Sequence, residues 1–303
     1  MTSSSQPSAP FVAKKLTKAY PGHVALKGLN LEIPDGHVVG LLGRNGAGKT
    51  TLINLACGLL LPTAGACTTL GRASGDLDTP ELVRLGVVQQ DARFLEWMTV
   101  RQQLEFNGAF YPAWDLKREQ RLLADLELDA TRKIAQLSTG DRQKLAIMLG
   151  VCHHPALILL DEPVSALDPI ARSKLLSFLI DLIREDGSTI VISSHLLSDV
   201  EKIIDWVVCL DAGELAVSAP FDELQETYAE WVVTAQAGDL PAVFSEPFVL
   251  AWEGNARQAR LLVRTAGPAV AAFRERYRAE VTARSLNLDQ LFPLLIKERR
   301  TAG

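Results

Sequence analysis

The run Gly43-Arg44-Asn45-Gly46-Ala47-Gly48-Lys49-Thr50 has the spacing G-x-x-x-x-G-K-[ST], and it constrains the fold more than any other feature of the chain. It follows the short apolar run His37–Leu42 and opens the helical stretch Thr51–Leu60. A strand that feeds a glycine loop and then a helix lets successive backbone N–H groups curl round one point, where the helix end adds partial positive charge. The run is therefore read as a phosphate cradle. Gly43 to Thr51 are its candidate binding residues, with Lys49 reaching the outer phosphates and the Thr50 hydroxyl placed for Mg²⁺.

Two further motifs follow in order. Leu157-Ile158-Leu159-Leu160 is a run expected to be a strand buried on both faces, and it ends in Asp161-Glu162. Carboxylates at the carboxyl edge of a sheet lie where α/β folds bind ligands. Strand alternation predicts that the two point to opposite sides, with Asp161 supporting Mg²⁺ and Glu162 orienting or deprotonating water. Between loop and carboxylates, Ser138 with Asp141 three residues on precedes an apolar-periodic run, a capped helix start.

Short apolar runs alternate with amphipathic stretches from Phe11 to Phe221, which predicts an α/β domain over residues 11–221. Residues 94–150 read as a helical subdomain within it, with a charged helix over Leu116–Leu126. After Pro220 the pattern changes. Trp231–Thr234, Phe248–Trp252 and Arg260–Val263 read as strands, and residues 268–279 and 288–300 as helices, so residues 222–303 are expected to form a small α+β accessory domain. Met1–Pro10 is Ser/Pro-rich without an apolar core and is expected to be a disordered tail, not a signal peptide.

With 31 basic and 36 acidic residues the net charge is −5, which argues against nucleic-acid binding through the overall field. Four cysteines without a C-x-x-C pair suggest neither a zinc site nor a disulfide framework. No apolar run approaches the roughly 20 residues that span a bilayer, so any membrane function needs another chain to cross it.

Taken together, the glycine loop, the Leu137-Ser138-Thr139-Gly140-Asp141 segment, Asp161-Glu162, Ser165-Ala166-Leu167-Asp168 and His195 resemble, in kind and order, the ATP-binding subunit of ABC transporters, over about two-thirds of the chain. The resemblance implies a P-loop NTPase fold of the ABC ATPase type and hydrolysis of ATP to ADP and phosphate with Mg²⁺. It also implies a homodimer, or a pair with a paralogue, in which Ser138, Thr139, Gly140 and Asp141 of one subunit complete the site of the other. By the same resemblance Tyr20 stacks on adenine and Gln90, rather than the adjacent Gln89, senses Mg²⁺ and the attacking water. His195 then contacts the γ-phosphate, and Asp168 belongs to an inter-subunit loop. Aspartate at 141, where the family usually has glutamine, puts a negative charge near the expected phosphate.

The implied partner is an integral membrane permease, with this subunit peripheral on the cytoplasmic face of the cell membrane. Gln90, Phe94, Leu95, Trp97 and Met98 are expected to line a groove for a short permease helix. The segments Phe110–Asp115 and Leu286–Phe292 are similar to those of exporter-type subunits of the ABC-2 class, which favours export. The alternative is a soluble cassette ATPase acting as a mechanochemical switch on a macromolecular partner.

Overall fold

The structure, a computed structural model, describes residues 9–195, 197–264 and 269–302. The tail expected over residues 1–10 lies outside the described residues as far as residue 8, and so does Pro268 at the start of one expected helix. The elements run β1 (Phe11–Tyr20), β2 (His23–Ile33), β3 (Val38–Gly43), α1 (Lys49–Ala56), β4 (Ala64–Thr69), β5 (Arg72–Ala73), α2 (Thr79–Leu82), β6 (Leu85–Val88) and α3 (Val100–Gly108). They continue α4 (Leu116–Asp125), α5 (Thr139–Val151), β7 (Leu157–Asp161), α6 (Pro169–Asp186), β8 (Thr189–Ser193), α7 (Leu197–Val200), β9 (Trp206–Asp211) and β10 (Glu214–Pro220). The last are α8 (Phe221–Thr227), β11 (Tyr228–Ala235), β12 (Val249–Gly254), β13 (Gln258–Arg264), α9 (Ala269–Tyr277), β14 (Ala279–Ser285) and α10 (Leu288–Ala302). Two compact units divide between Ser218 and Ala219.

In the first unit a six-stranded sheet has the order β10-β9-β3-β8-β7-β6. Its pairs β9–β3, β3–β8, β8–β7 and β7–β6 are parallel. Every residue of β7 and β8 is buried, as strands covered on both faces must be. The parallel register brings the carboxyl ends of β3, β7 and β8 to one edge, with Leu41 beside Ser193 and Asp161 beside Ser193 from the other side. That edge positions the site.

A second sheet, β2-β1-β4-β5, was not expected from the sequence. It is antiparallel, and its inner face joins α1 in one core that includes Leu16, Leu26, Ile53, Leu55 and Leu159. The expected helical region contains α3, α4 and α5. Each starts on a side-chain cap: Thr99 accepts from the Gln102 amide, Asp115 from Lys117 and Arg118, and Ser138 from Asp141.

The second unit is a four-stranded sheet, β12-β13-β11-β14, with an aromatic core. Trp231 is 1% exposed, and its ring meets Phe273 edge-on at 5.3 Å. The strands expected there correspond to β11, β12 and β13, whereas β14 and α8 were not foreseen.

Candidate active site

At the end of β3 the chain turns through the glycine loop. Gly48 caps α1 at φ 106°, a left-handed conformation natural to glycine. A Cβ there would lie 2.7 Å from Leu26 Cδ2 and 2.8 Å from the Ala25 carbonyl oxygen, so β2 closes the space as well. Lys49 is buried at 8% exposure, and its ammonium donates to the Gly43 carbonyl at 2.7 Å. The charge is thereby held inside the curve of the loop.

Beside it opens a cavity of about 550 Å³, lined on the loop side by residues 45–51. Tyr20 and His23, which face each other across the β1–β2 turn, also line it. Gln90, Asp161, Glu162 and His195 complete its lining. Gln90 faces the cavity while the Gln89 amide donates to Asn54 Oδ1 at 3.1 Å, so the two adjacent glutamines turn opposite ways.

The two carboxylates break the expected alternation. β7 ends at Asp161, and Glu162 takes φ 52°, so both acids line the same cavity. A non-glycine residue in this region costs about 1–3 kcal/mol and persists only where neighbours hold it. Ser193 is that neighbour. Its hydroxyl accepts from the Glu162 amide at 3.0 Å and donates to Asp161 Oδ1 at 2.6 Å. Glu162 Oε2 in turn accepts from the His195 amide at 3.2 Å and lies 2.7 Å from His195 Nδ1.

The hard oxygen donors round the cavity include the Thr50 hydroxyl, the Gln90 amide oxygen and the Asp161 and Glu162 carboxylates. Among the described residues no cluster of three or more His, Cys, Asp or Glu could hold a metal alone. Such a set fits Mg²⁺, which takes one or two protein oxygens and completes its shell with phosphates and water. An imidazole- or thiolate-loving metal is not matched.

The ABC transporter family model matches residues 26–165. The bacitracin transport ATP-binding protein BcrA of Bacillus licheniformis is 33% identical over 213 residues, 70% of this chain and 70% of that protein. The chain belongs to the family of ABC transporter ATP-binding proteins. The ABC transporter ATP-binding protein YtrB of Bacillus subtilis is 31% identical, with 71% of this chain and 73% of YtrB covered. An uncharacterized ABC transporter ATP-binding protein of Synechocystis is 32% identical, and the chain spans 63% of its length. Among solved structures, a post-hydrolysis dimer of the cassette MJ0796 bound to ADP and Pi matches at TM-score 0.62 and 29% identity. It covers 69% of this chain and 98% of the other. By fold and family the first unit is an ATP-binding cassette ATPase.

The remaining cassette residues lie elsewhere. Ser138, Thr139, Gly140 and Asp141, Arg44 and Asp168 do not line the cavity of their own chain. A Cβ on Gly140 would meet the Ala166 carbonyl oxygen at 2.9 Å, so glycine is needed here for the neighbouring loop as well as for any phosphate. The negative charge of Asp141 is met by Lys144 at 3.2 Å and Arg132 at 3.4 Å. Burial pushes its carboxyl up, but the Ser138 hydroxyl and these cations outweigh it and hold the group below its ordinary range. Asp168 Oδ1 accepts from the Ile170 and Ala171 amides and so caps α6.

Sequence reasoning missed His23 and Ser193. His23 sits next to Tyr20 only through the hairpin pairing, and Ser193 differs from any strand-end serine only in what it touches. The expected permease groove is also corrected. A groove of about 420 Å³ exists and includes Phe94, but with Gln89, Leu59, Leu82, Tyr111 and His153. Gln90 lines the glycine-loop cavity and Met98 is buried, with its carbonyl accepting from the Ile134 amide. Leu95 and Trp97 point to solvent, Trp97 at 67% exposure.

Proposed function

We propose that two copies of the chain, or one copy and a paralogue, hydrolyse ATP and drive export through a separate integral membrane permease, from its cytoplasmic face. The observation that carries this reading is the division of the site. One cavity gathers the glycine loop, Glu162 and His195, while the capped, positive end of α5 with Ser138 and Gly140 points elsewhere in the same chain. A second copy can bring that end to the phosphates, an arrangement supported by the dimeric ADP- and Pi-bound relative.

The roles follow from position. Tyr20, in the cavity lining, stacks on the base, and the loop amides with Lys49 hold the phosphates. Thr50, Asp161 and Gln90 would hold Mg²⁺, which would supply neutralisation of the phosphate charge. Glu162 takes the proton of the attacking water as the oxygen bonds to the γ-phosphorus and the ADP oxygen leaves. His195 holds the Glu162 carboxylate in place and lies at the γ-phosphate side. Nearly all the rate comes from such positioning and charge compensation.

No described helix is long and apolar enough to cross a membrane, so the pathway for cargo lies in the partner. The Phe94-containing groove, with Leu59 and Leu82 at its rim, is where a cytoplasmic segment of that permease docks. Export rests on the likeness to BcrA and on the segments Phe110–Asp115 and Leu286–Phe292. The test is purification with the native membrane subunit, reconstitution in vesicles, and measurement of ATP-dependent movement of bacitracin-like peptides. Movement away from the face that carries this subunit is expected. Failure of any membrane protein to co-purify, or ATP turnover in the reconstituted vesicles with no peptide movement, contradicts the reading.

A further inference from the structure

The segment that leads into the Ser138 cap is zipped to the turn that carries Trp97. The Ile134 amide donates to the Met98 carbonyl at 2.9 Å and the Ala135 amide to Glu96 at 3.2 Å. The Val100 amide donates to Arg132 at 3.0 Å and the Arg101 amide to Ala130 at 2.9 Å. These four bonds hold residues 96–101 against residues 130–135, but they stop short of α5 itself.

Two arginines close the gap. Arg132, in the zipped segment, reaches Asp141 Oδ2 at 3.4 Å through one nitrogen, and Arg142 makes the shorter, two-pronged contact. Arg142, in the first turn of α5, donates through its two terminal nitrogens to both oxygens of Glu96 at 2.7 Å each. It also donates to the Ile134 carbonyl at 3.0 Å. Glu96 therefore touches α5 directly while its neighbour Trp97 stands exposed. A forked, two-bond contact fixes angle as well as distance, which a single lysine contact does not.

We propose that Glu96 and Arg142 are a positioning pair, through which force on the Trp97 turn reorients the N-terminus of α5 and with it the Ser138 cap. For its coupling to the permease this rests on the transport reading above; the mechanical link does not. An exposed ion pair of this kind adds little to global stability, so its loss leaves the fold intact. The neighbouring Arg132–Asp141 contact is longer and uses one nitrogen, so the forked Glu96–Arg142 pair is the one that fixes the angle of α5.

The experiment compares wild type, Glu96→Arg, Arg142→Glu and the doubly reversed chain, all full length. The first readout is hydrogen exchange at the Asp141 and Arg142 amides in the isolated chain, which are bonded to the Ser138 hydroxyl and carbonyl. Each single reversal is expected to speed exchange by about fivefold or more at unchanged melting temperature, and the double reversal to restore it. The second is stimulation of ATP turnover by the co-purified membrane subunit in phosphatidylethanolamine–phosphatidylglycerol vesicles. It is expected to fall by about fivefold in each single variant and to return in the double. Exchange that does not respond to either single reversal overturns the link, and stimulation that survives both overturns transmission. Failure of the membrane subunit to stimulate wild type defeats the transport reading, and the exchange data alone then decide the link.

Discussion

At the scale of single residues, Glu162 and Gly48 carry the sharpest expectations. Glu162 is held in a left-handed backbone by Ser193 and in contact with His195, so replacing its carboxylate by an amide keeps the shape and removes the proposed base. Glu162→Gln is expected to lower turnover by about 10²- to 10⁴-fold while Mg–ATP binding, measured by equilibrium titration, persists. Turnover near wild type assigns the water to another group. Gly48→Ala meets both a positive φ and a closed space against β2. A loss of about 1–3 kcal/mol in unfolding free energy, together with weakened nucleotide binding, is expected. The glycine loop was legible because its chemistry is local. Glu162 was legible by type but not by direction, since strand alternation holds only as far as Asp161. Ser193 and His23 were not legible, because contacts rather than neighbours in the chain define them.

Among the elements, buried strands such as β7 and β8 could be read directly, as continuous apolar runs with one possible environment. The β1–β2–β4–β5 sheet could not. Register shifts between Ala13 and Leu16 and between Leu16 and Lys18 interrupt the two-residue period of β1, and Lys15 sits at φ 49°. β14 was hidden for another reason: the alternation Ala279-Glu280-Val281-Thr282-Ala283 rests on two alanines and one valine, and most of its residues are exposed, so the apolar signal is weak. The link from α5 to β6 carries a pH signature. His153, just beyond α5, stacks on Tyr111 at 4.0 Å and lies 3.3 Å from the Leu85 carbonyl. Burial pushes its imidazole down to about 4. The unfolded chain, with an ordinary value near 6.5, binds a proton that the folded chain refuses, so this contribution is complete above about pH 6.5 and is lost as pH falls towards 4. The loss amounts to about 3 kcal/mol at most. Thermal unfolding across this range is expected to show a shallower acid slope in His153→Phe than in wild type. Equal slopes in the two proteins place the proton elsewhere.

For the molecule as a whole, the division of catalytic parts between two copies is the claim on which the rest depends. In the cassette the phosphate cradle and the carboxylates share one cavity, whereas the capped end of α5 does not enter it. The most direct measurement mixes two variants that are each inactive as homodimers, Glu162→Gln and Ser138→Arg. In a mixed pair one site carries both defects and the other carries none. ATP turnover of an equimolar mixture is expected to recover to about one quarter of wild type, since half of the pairs are mixed and each has one intact site. A mixture as inactive as its two components would contradict the account.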